Sequence, residues 1–438
     1  MSRTSLRPPS SFKGDWVTPN HAEYNAATLR WTRNSRDRIS VVAFARDVSD
    51  VASVISYACA YELPVAIRGG GHNAAGASSS GNGVVIDLSR HMNDVRIDVH
   101  SGLVFVRVSG GALWKDVDRV AMGRRLTAIG ETINLTGIGG AIGLELVVDN
   151  LVEVTIVKAD GSIFTASEQE NVKLFQALLH RRCNFGVVTE FVYLMHPQRA
   201  TVFCGNVRFS GKKLPAIMNK LETWWEGGPS PKCSILLFIT VSPDGRPANI
   251  LSLFYNGSEA EGRAYFKPFF DIGPIDDMTK EMPFEAVHGI QSRIPALLLP
   301  HSVLTQNERL VHGVNNYVKR VFTSRLCTSN AVMIQKRTVE LARGTSILPA
   351  FMLELCPSEK MLSFKCDSTS FLRWKGVNNL VMTTWPDDAD EEQEKAKRFV
   401  HELCSIASTS DDMLSASENT GYGNHSAYTS SLYSAPTC

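Results

Sequence analysis

Residues 64–76 read Pro-Val-Ala-Ile-Arg-Gly-Gly-Gly-His-Asn-Ala-Ala-Gly. A short buried strand, 65–67, runs into Gly69, Gly70 and Gly71, and His72 follows at once. Three residues without a Cβ let the backbone turn sharply, take φ > 0 and present several N–H groups on one side. A concave row of such donors suits a pyrophosphate. The imidazole of His72 then stands beside whatever anion the loop holds. A glycine-rich surface turn with an incidental histidine is the competing reading. A Walker loop is excluded, because no Gly-Lys-Ser/Thr follows at the required spacing.

Outward from this loop, Val51, Val54, Ile55, Ala58 and Cys59 form one apolar stripe, predicting a helix over 47–62 that Asp47 or Ser49 can cap. A second short strand falls at 84–88. Alternation over 95–99 and 103–108, around His100-Ser101-Gly102, predicts a hairpin. Residues 112–122 read as helix. Asp160-Gly161 between alternating apolar runs predicts another hairpin. Residues 1–37 read as a lead-in, with Trp16 and Trp31 as packing anchors. After Pro197 the strands lengthen: 202–209, 233–241 and 249–255, with Asp244-Gly245 as the turn between the last two. A helix marked by Leu214, Ile217, Met218, Leu221 and Trp225, a strand at 380–384 and an amphipathic helix at 391–406 follow. Short mixed elements and then an antiparallel sheet with helices on one face make an α+β chain.

The length, 438 residues, calls for at least two domains. Apolar residues make up 44% and charged residues 20%, as in ordinary globular proteins. Lys+Arg 45 against Asp+Glu 44 argues against nucleic acid or an anionic membrane as main partner. Nine cysteines without a Cys-x-x-Cys pair give no motif for metal or redox chemistry. The N-terminus has no signal-like apolar run, and no stretch approaches the ~20 apolar residues of a membrane span. A cytoplasmic protein is the expectation, and the sequons at Asn134, Asn256 and Asn424 read as chance.

Gly137-Ile138-Gly139-Gly140-Ala141-Ile142-Gly143 tempts a dinucleotide-fold reading, with Asp160 as the ribose acid. It fails, because Ile142 stands where the third glycine belongs and no strand leads in. A tight core turn, or a second backbone approach to an extended cofactor, remains open. Cys183-Asn184-Phe185-Gly186-Val187-Val188-Thr189 reads as a strand entry.

The order of the pieces carries more than each alone: Arg-Gly-Gly-Gly-His-Asn, Val-Ile-Asp-Leu-Ser, Gly-Gly-Ala-Leu-Trp-Lys-Asp-Val, Thr-Gly-Ile-Gly-Gly, Val-Asp-Asn-Leu, Ala-Asp-Gly and Asn-Phe-Gly-Val-Val-Thr. This succession resembles the FAD-linked oxidases of the berberine-bridge-enzyme-like type. They share the FAD-binding domain of the para-cresol methylhydroxylase (PCMH) and vanillyl-alcohol oxidase group. The resemblance is strong over residues 38–200 and looser beyond, in the manner of fungal members.

It implies a two-part FAD-binding PCMH-type domain at 38–200, a substrate domain at 201–405, and a segment, 406–438, returning to the FAD domain. His72 matches the histidine bonded to the flavin 8α-methyl; a neutral imidazole nitrogen, available near pH 7 at an unperturbed pKa of about 6.5, is the nucleophile such a bond needs. Arg68, Gly69, Gly70, Gly71, Asn73 and Gly76 match the loop over the pyrophosphate. Thr136, Gly137, Gly139, Gly140 and Asn150 match the second approach, and Val187 and Val188 the strand beside the adenine half. Residues 131–135 offer no thiol for a second link. Tyr422-Gly423-Asn424-His425 matches a Tyr-x-Asn-Tyr motif on the substrate side of the flavin, so Tyr422 or His425 is the expected base. The implied activity is oxidation of a small organic molecule by hydride transfer to FAD, with molecular oxygen as acceptor and a place in secondary metabolism.

Three departures set an alternative beside it, a catalytically inactive flavin-fold binding module. Residues 141–147 join two motifs that relatives separate by a longer glycine-rich stretch. His180-Arg181-Arg182-Cys183 replaces small residues before Asn-Phe-Gly, and the chain ends at Cys438, where relatives continue into a closing helix. An NAD-dependent dehydrogenase is a third and weaker reading.

Overall fold

The computed structural model describes residues 6–33, 38–130, 133–140, 147–181, 185–242, 244–292, 314–357, 359–363, 376–386 and 390–409. They fall into two compact units, one reaching to Gln198 and the other beginning at Arg199.

In the first unit, strand β1 (Asp15–Val17), helix α1 (Tyr24–Ala27), β2 (Val41–Phe44), α2 (Val48–Ala60), β3 (Val65–Arg68) and β4 (Val84–Asp87) come first. The four strands form one sheet in the order β1-β2-β4-β3. β2 and β3 run parallel to β4, whereas β1 is antiparallel to β2, so the lead-in supplies a strand of its own. The stripe predicted for α2 is its buried face: Val51, Val54 and Ile55 pack with Val41, Ala43, Val84 and Ile86, and Ala58 is buried too. Each valine or isoleucine among them contributes about 1.5–3 kcal/mol by leaving water. Asp47 caps the helix by accepting from the Asp50 N–H at 3.0 Å. The buried Asp50 carboxylate accepts from the Lys13 and Arg46 N–H groups, tying the lead-in to α2. One expectation needs correction. β3 is a sheet edge rather than a buried strand, so Val65 is exposed and only Ala66 is buried.

The same unit continues with β5 (Val95–His100), β6 (Leu103–Ser109), α3 (Trp114–Met122), β7 (Leu126–Ala128), β8 (Leu151–Val157), β9 (Ile163–Ser167), α4 (Val172–Arg181) and β10 (Val187–Pro197). A second sheet, antiparallel throughout, runs β5-β6-β10-β8-β9, with β7 also on β10. Both hairpins form as read; Ser101 and Gly102 take φ of 52° and 79° at the tip of the first.

The second unit is one antiparallel sheet backed by helices. Its elements are β11 (Thr201–Ser210), α5 (Leu214–Glu226), β12 (Cys233–Val241), β13 (Pro247–Tyr255), α6 (Glu259–Tyr265), α7 (Lys267–Phe270), β14 (Asp276–Asp277), β15 (Lys280–Pro283), α8 (Val287–Ser292), β16 (Asn315–Thr323), α9 (Thr328–Ala342), β17 (Leu348–Leu355), α10 (Glu359–Ser363), β18 (Val377–Trp385) and α11 (Asp390–Ala407). The strand order is β14-β11-β13-β12-β17-β18-β16, with β15 on β11. Alternate residues such as Ile235, Leu237, Leu251, Leu253, Phe351 and Val381 form one core with α5, α9 and α11. Burial pushes the thiols of Cys204 and Cys404 up to about 12, which makes both inert core groups. Among the described residues no helix is long and apolar enough to cross a membrane, and no His/Cys/Asp/Glu group could hold a metal ion.

Candidate cofactor site

β3 delivers the chain to Gly69 at the sheet edge, and there the ladder stops. The N–H groups of Gly69, Gly70 and Gly71 donate to no acceptor among the described residues. Backbone donors in a partly enclosed turn are rarely left so. Gly71 has φ +67°, a conformation that a side chain resists. Arg68 is turned toward β4, where its Nη1 meets the buried Asp87 carboxylate at 2.6 Å. Asp87 also accepts from the Ser89 N–H and hydroxyl. The Nε of Arg68 is buried with no hydrogen-bond partner among the described residues, 2.9 Å from where a Cβ on Gly71 would stand. Asn73 closes the next turn, its Oδ1 accepting from the Ala75 and Ala77 N–H groups, and Gly76 follows at φ +85°.

Several of the segments singled out from sequence meet here as bare backbone. A Cβ on Gly70 would lie 2.5 Å from the Gly137 nitrogen and 2.8 Å from its Cα. A Cβ on Gly69 would lie 2.7 Å from the Gly110 carbonyl oxygen, and one on Gly110 2.7 Å from that of Val188. The loop after β3, the β6–α3 turn, the turn at Gly137 and the start of β10 are therefore stacked main chain on main chain. Gly137 is held by flanking bonds, from Trp114 N–H to the Thr136 carbonyl (3.1 Å) and from Ile138 N–H to that of Ala112 (3.3 Å). Thr136 is buried, with its hydroxyl on the Ile133 carbonyl. A single 3₁₀ turn carries Gly139 and Gly140, and Gly139 faces Phe191 on β10. Val187 is buried in the α2 core. Asn150 is buried too, but its Oδ1 is bonded to His196 Nε2 at 2.7 Å, toward the far end of β10.

Sequence reasoning missed three contributors. Gly110 was legible as half of a Gly-Gly pair before a helix. Trp31, read as a packing anchor, stacks on His72 with centroids 4.3 Å apart and planes 17° off parallel. Arg30 is fully buried beneath the loop, with Nε on the Ser78 carbonyl at 2.9 Å and Nη1 on those of Ala27 and Leu29. Within the second unit, Glu354 and Asn378 are cross-strand partners joined by a hydrogen bond, on the sheet face away from the helices. The Asn378 Oδ1 is buried with no partner among the described residues.

Tyr422 and His425 lie outside the described residues, as do 141–146, 182–184 and the chain after 409. What is described fits a phosphate-bearing cofactor: three idle backbone donors, an orphaned Arg68 Nε, a cradle in which added Cβ atoms would strike backbone, and an imidazole at the rim.

Comparison with known proteins agrees. The family model described as an FAD binding domain matches residues 39–167. An FAD-linked oxidoreductase of Aspergillus terreus is 33% identical over 276 residues, 61% of this chain and 56% of that protein. (R)-6-hydroxynicotine oxidase of Paenarthrobacter nicotinovorans is 31% identical over 197 residues, 43% of this chain and 42% of that one. The chain thus spans about half the length of the curated relatives it matches. The fold matches the crystal structure of 6-hydroxy-D-nicotine oxidase from Arthrobacter nicotinovorans at TM-score 0.80 and 20% identity, covering 98% of this chain and 92% of that one. Berberine bridge enzyme, as its C166A variant, matches at 0.75 and 15%, covering 94% and 86%. Residues 39–167 thus match an FAD binding domain, and the chain is similar to FAD-linked oxidoreductases over about half their length and shares the fold of 6-hydroxy-D-nicotine oxidase and berberine bridge enzyme.

Proposed function

We propose that this chain oxidises a small organic molecule with FAD that is bonded to His72, and that molecular oxygen is the acceptor. The observation that carries the reading is the row of idle N–H donors at Gly69, Gly70 and Gly71, with His72 next in the chain. The pyrophosphate would lie against that row, with Arg68 Nε as a further donor, while Asp87 keeps the arginine in place. Thr136, Gly137, Gly139, Gly140, Asn150, Val187 and Val188 are assigned to the rest of the cofactor. Held there, FAD would supply the hydride-accepting chemistry that the side chains lack. Tyr422 or His425 is assigned the substrate proton. Glu354 and Asn378 present two acceptors beside Leu236 and Phe322, their partners on the flanking strands, which suits an apolar substrate bearing a donor group. That one relative is named an oxidase supports oxygen as acceptor. A role in secondary metabolism belongs to the same reading. The departures that motivate an inactive binding module fall chiefly outside the described residues, and no described feature favours it.

The test is spectroscopic. Purified full-length protein should show the visible absorbance of a flavin. Anaerobic mixing with a panel of alcohols and amines should bleach it for at least one, and admitting air should restore it with uptake of oxygen. A colourless protein that unfolds cooperatively would overturn the proposal.

A further inference from the structure

The lead-in segment reaches the cofactor site at Arg30 and Trp31. Trp31 lies face to face with His72, 4.3 Å between centroids. The main-chain N–H of Trp31 donates to the Gly71 carbonyl at 3.1 Å, one residue before the histidine. Arg30, next to it, is buried and bonded to the Ser78 carbonyl beyond the loop. Residues 30 and 31 are therefore tied to both sides of His72, by the Arg30 side chain and the Trp31 main chain, independently of the indole.

We propose that Trp31 is a positioning residue for formation of the bond between His72 and the flavin; this rests on the covalent reading given above. The nucleophilic lone pair of a neutral imidazole lies in the ring plane. A partner stacked on one face holds that plane without covering either nitrogen. Joining an imidazole nitrogen to the 8α carbon removes one hydrogen from the methyl group and one from the imidazole. It is a two-electron oxidation, and the pair must leave to an acceptor; dioxygen, going to peroxide, supplies that. Such a step depends on how often the nitrogen stands in line with the carbon, so fixing the ring raises its rate. The stack is worth about a factor of ten at the strength of a typical aromatic pair.

The experiment follows acid-stable flavin against time. Full-length protein is produced under riboflavin limitation, FAD is added in air, and samples are precipitated with acid. Trp31→Ala should bind dissociable FAD as the parent does, because the Trp31–Gly71 bond and the Arg30 anchors involve no indole atom, yet acquire acid-stable flavin about tenfold more slowly. Trp31→Phe should restore the rate, and Trp31→Leu should not. Equal rates for Trp31→Ala and the parent overturn the proposal. So do equal rates for the Phe and Leu variants, a comparison that decides the matter even where the alanine variant does not fold. Absence of acid-stable flavin in the parent itself removes the covalent reading instead, and the positioning role with it.

Discussion

The two units are built on opposite principles. In the second, Leu237, Leu251, Leu253 and Val381 fill space between a sheet and three helices, and large side chains do the work. In the first, at the loop after β3, Gly69, Gly70, Gly110 and Gly137 empty space so that backbone meets backbone. A core tolerates many apolar residues of the right volume. A main-chain cradle tolerates one residue type, and it leaves N–H groups free for a ligand. Stability and function are thus written in different residues, and substitutions should separate them.

The largest effect expected is at the ion pair beside the cradle. Asp87→Ala leaves Arg68 without its counter-charge, which costs about 3–5 kcal/mol; denaturant unfolding should register that, together with weaker FAD binding. Leu237→Ala in the second core costs about 2–5 kcal/mol through lost transfer energy and a cavity. Flavin bound per folded molecule should nevertheless stay at the parent level; a matching loss of flavin would erase the contrast. Gly70→Ala costs about 1–3 kcal/mol by overpacking, less than the leucine change, and yet should abolish flavin loading, because the methyl meets the Gly137 backbone. Gly76→Ala sharpens the point. A Cβ there meets nothing within 4 Å, so only its φ of +85° is strained, at about 1–2 kcal/mol, and loading should survive.

The smallest effect tests a surface cap. Hydrogen bonds from the Lys13 ammonium, the Ser49 hydroxyl and the Asp50 N–H hold the Asp47 carboxyl well below its usual value of 3.8. A carboxylate lowered in the folded state adds stability that is present above the unfolded value and lost as pH falls through the folded one. Asp47→Ala should cost about 1 kcal/mol at pH 7. The gap between variant and parent should narrow only in acid, below the ordinary carboxylate range.

What the sequence revealed follows the same division. The α2 stripe, the two hairpins of the first unit and strands β11 to β13 were legible because each buries one face at a regular period. β16, α9 and β17 were not. Lys319-Arg320 interrupts the alternation of β16, Pro349 sits inside β17, and α9 buries only Ala331, Ile334, Thr338 and Leu341. Nonlocal sheet pairing carries these elements against weak local preference. At the site the glycines were legible because so few constraints demand glycine. Trp31 was not, since its contact with His72 joins residues 41 apart through a segment that reads as a lead-in.

The most direct measurement is peptide mass mapping of the purified protein. Trypsin cuts after Arg68 and Arg90, and the fragment between holds His72 as its single histidine and contains no cysteine or tyrosine. That fragment should carry the mass of one FAD less two hydrogens and should be unmodified in His72→Ala. An unmodified fragment in the parent protein, or a flavin on any other peptide, would contradict the attachment of the cofactor at this loop.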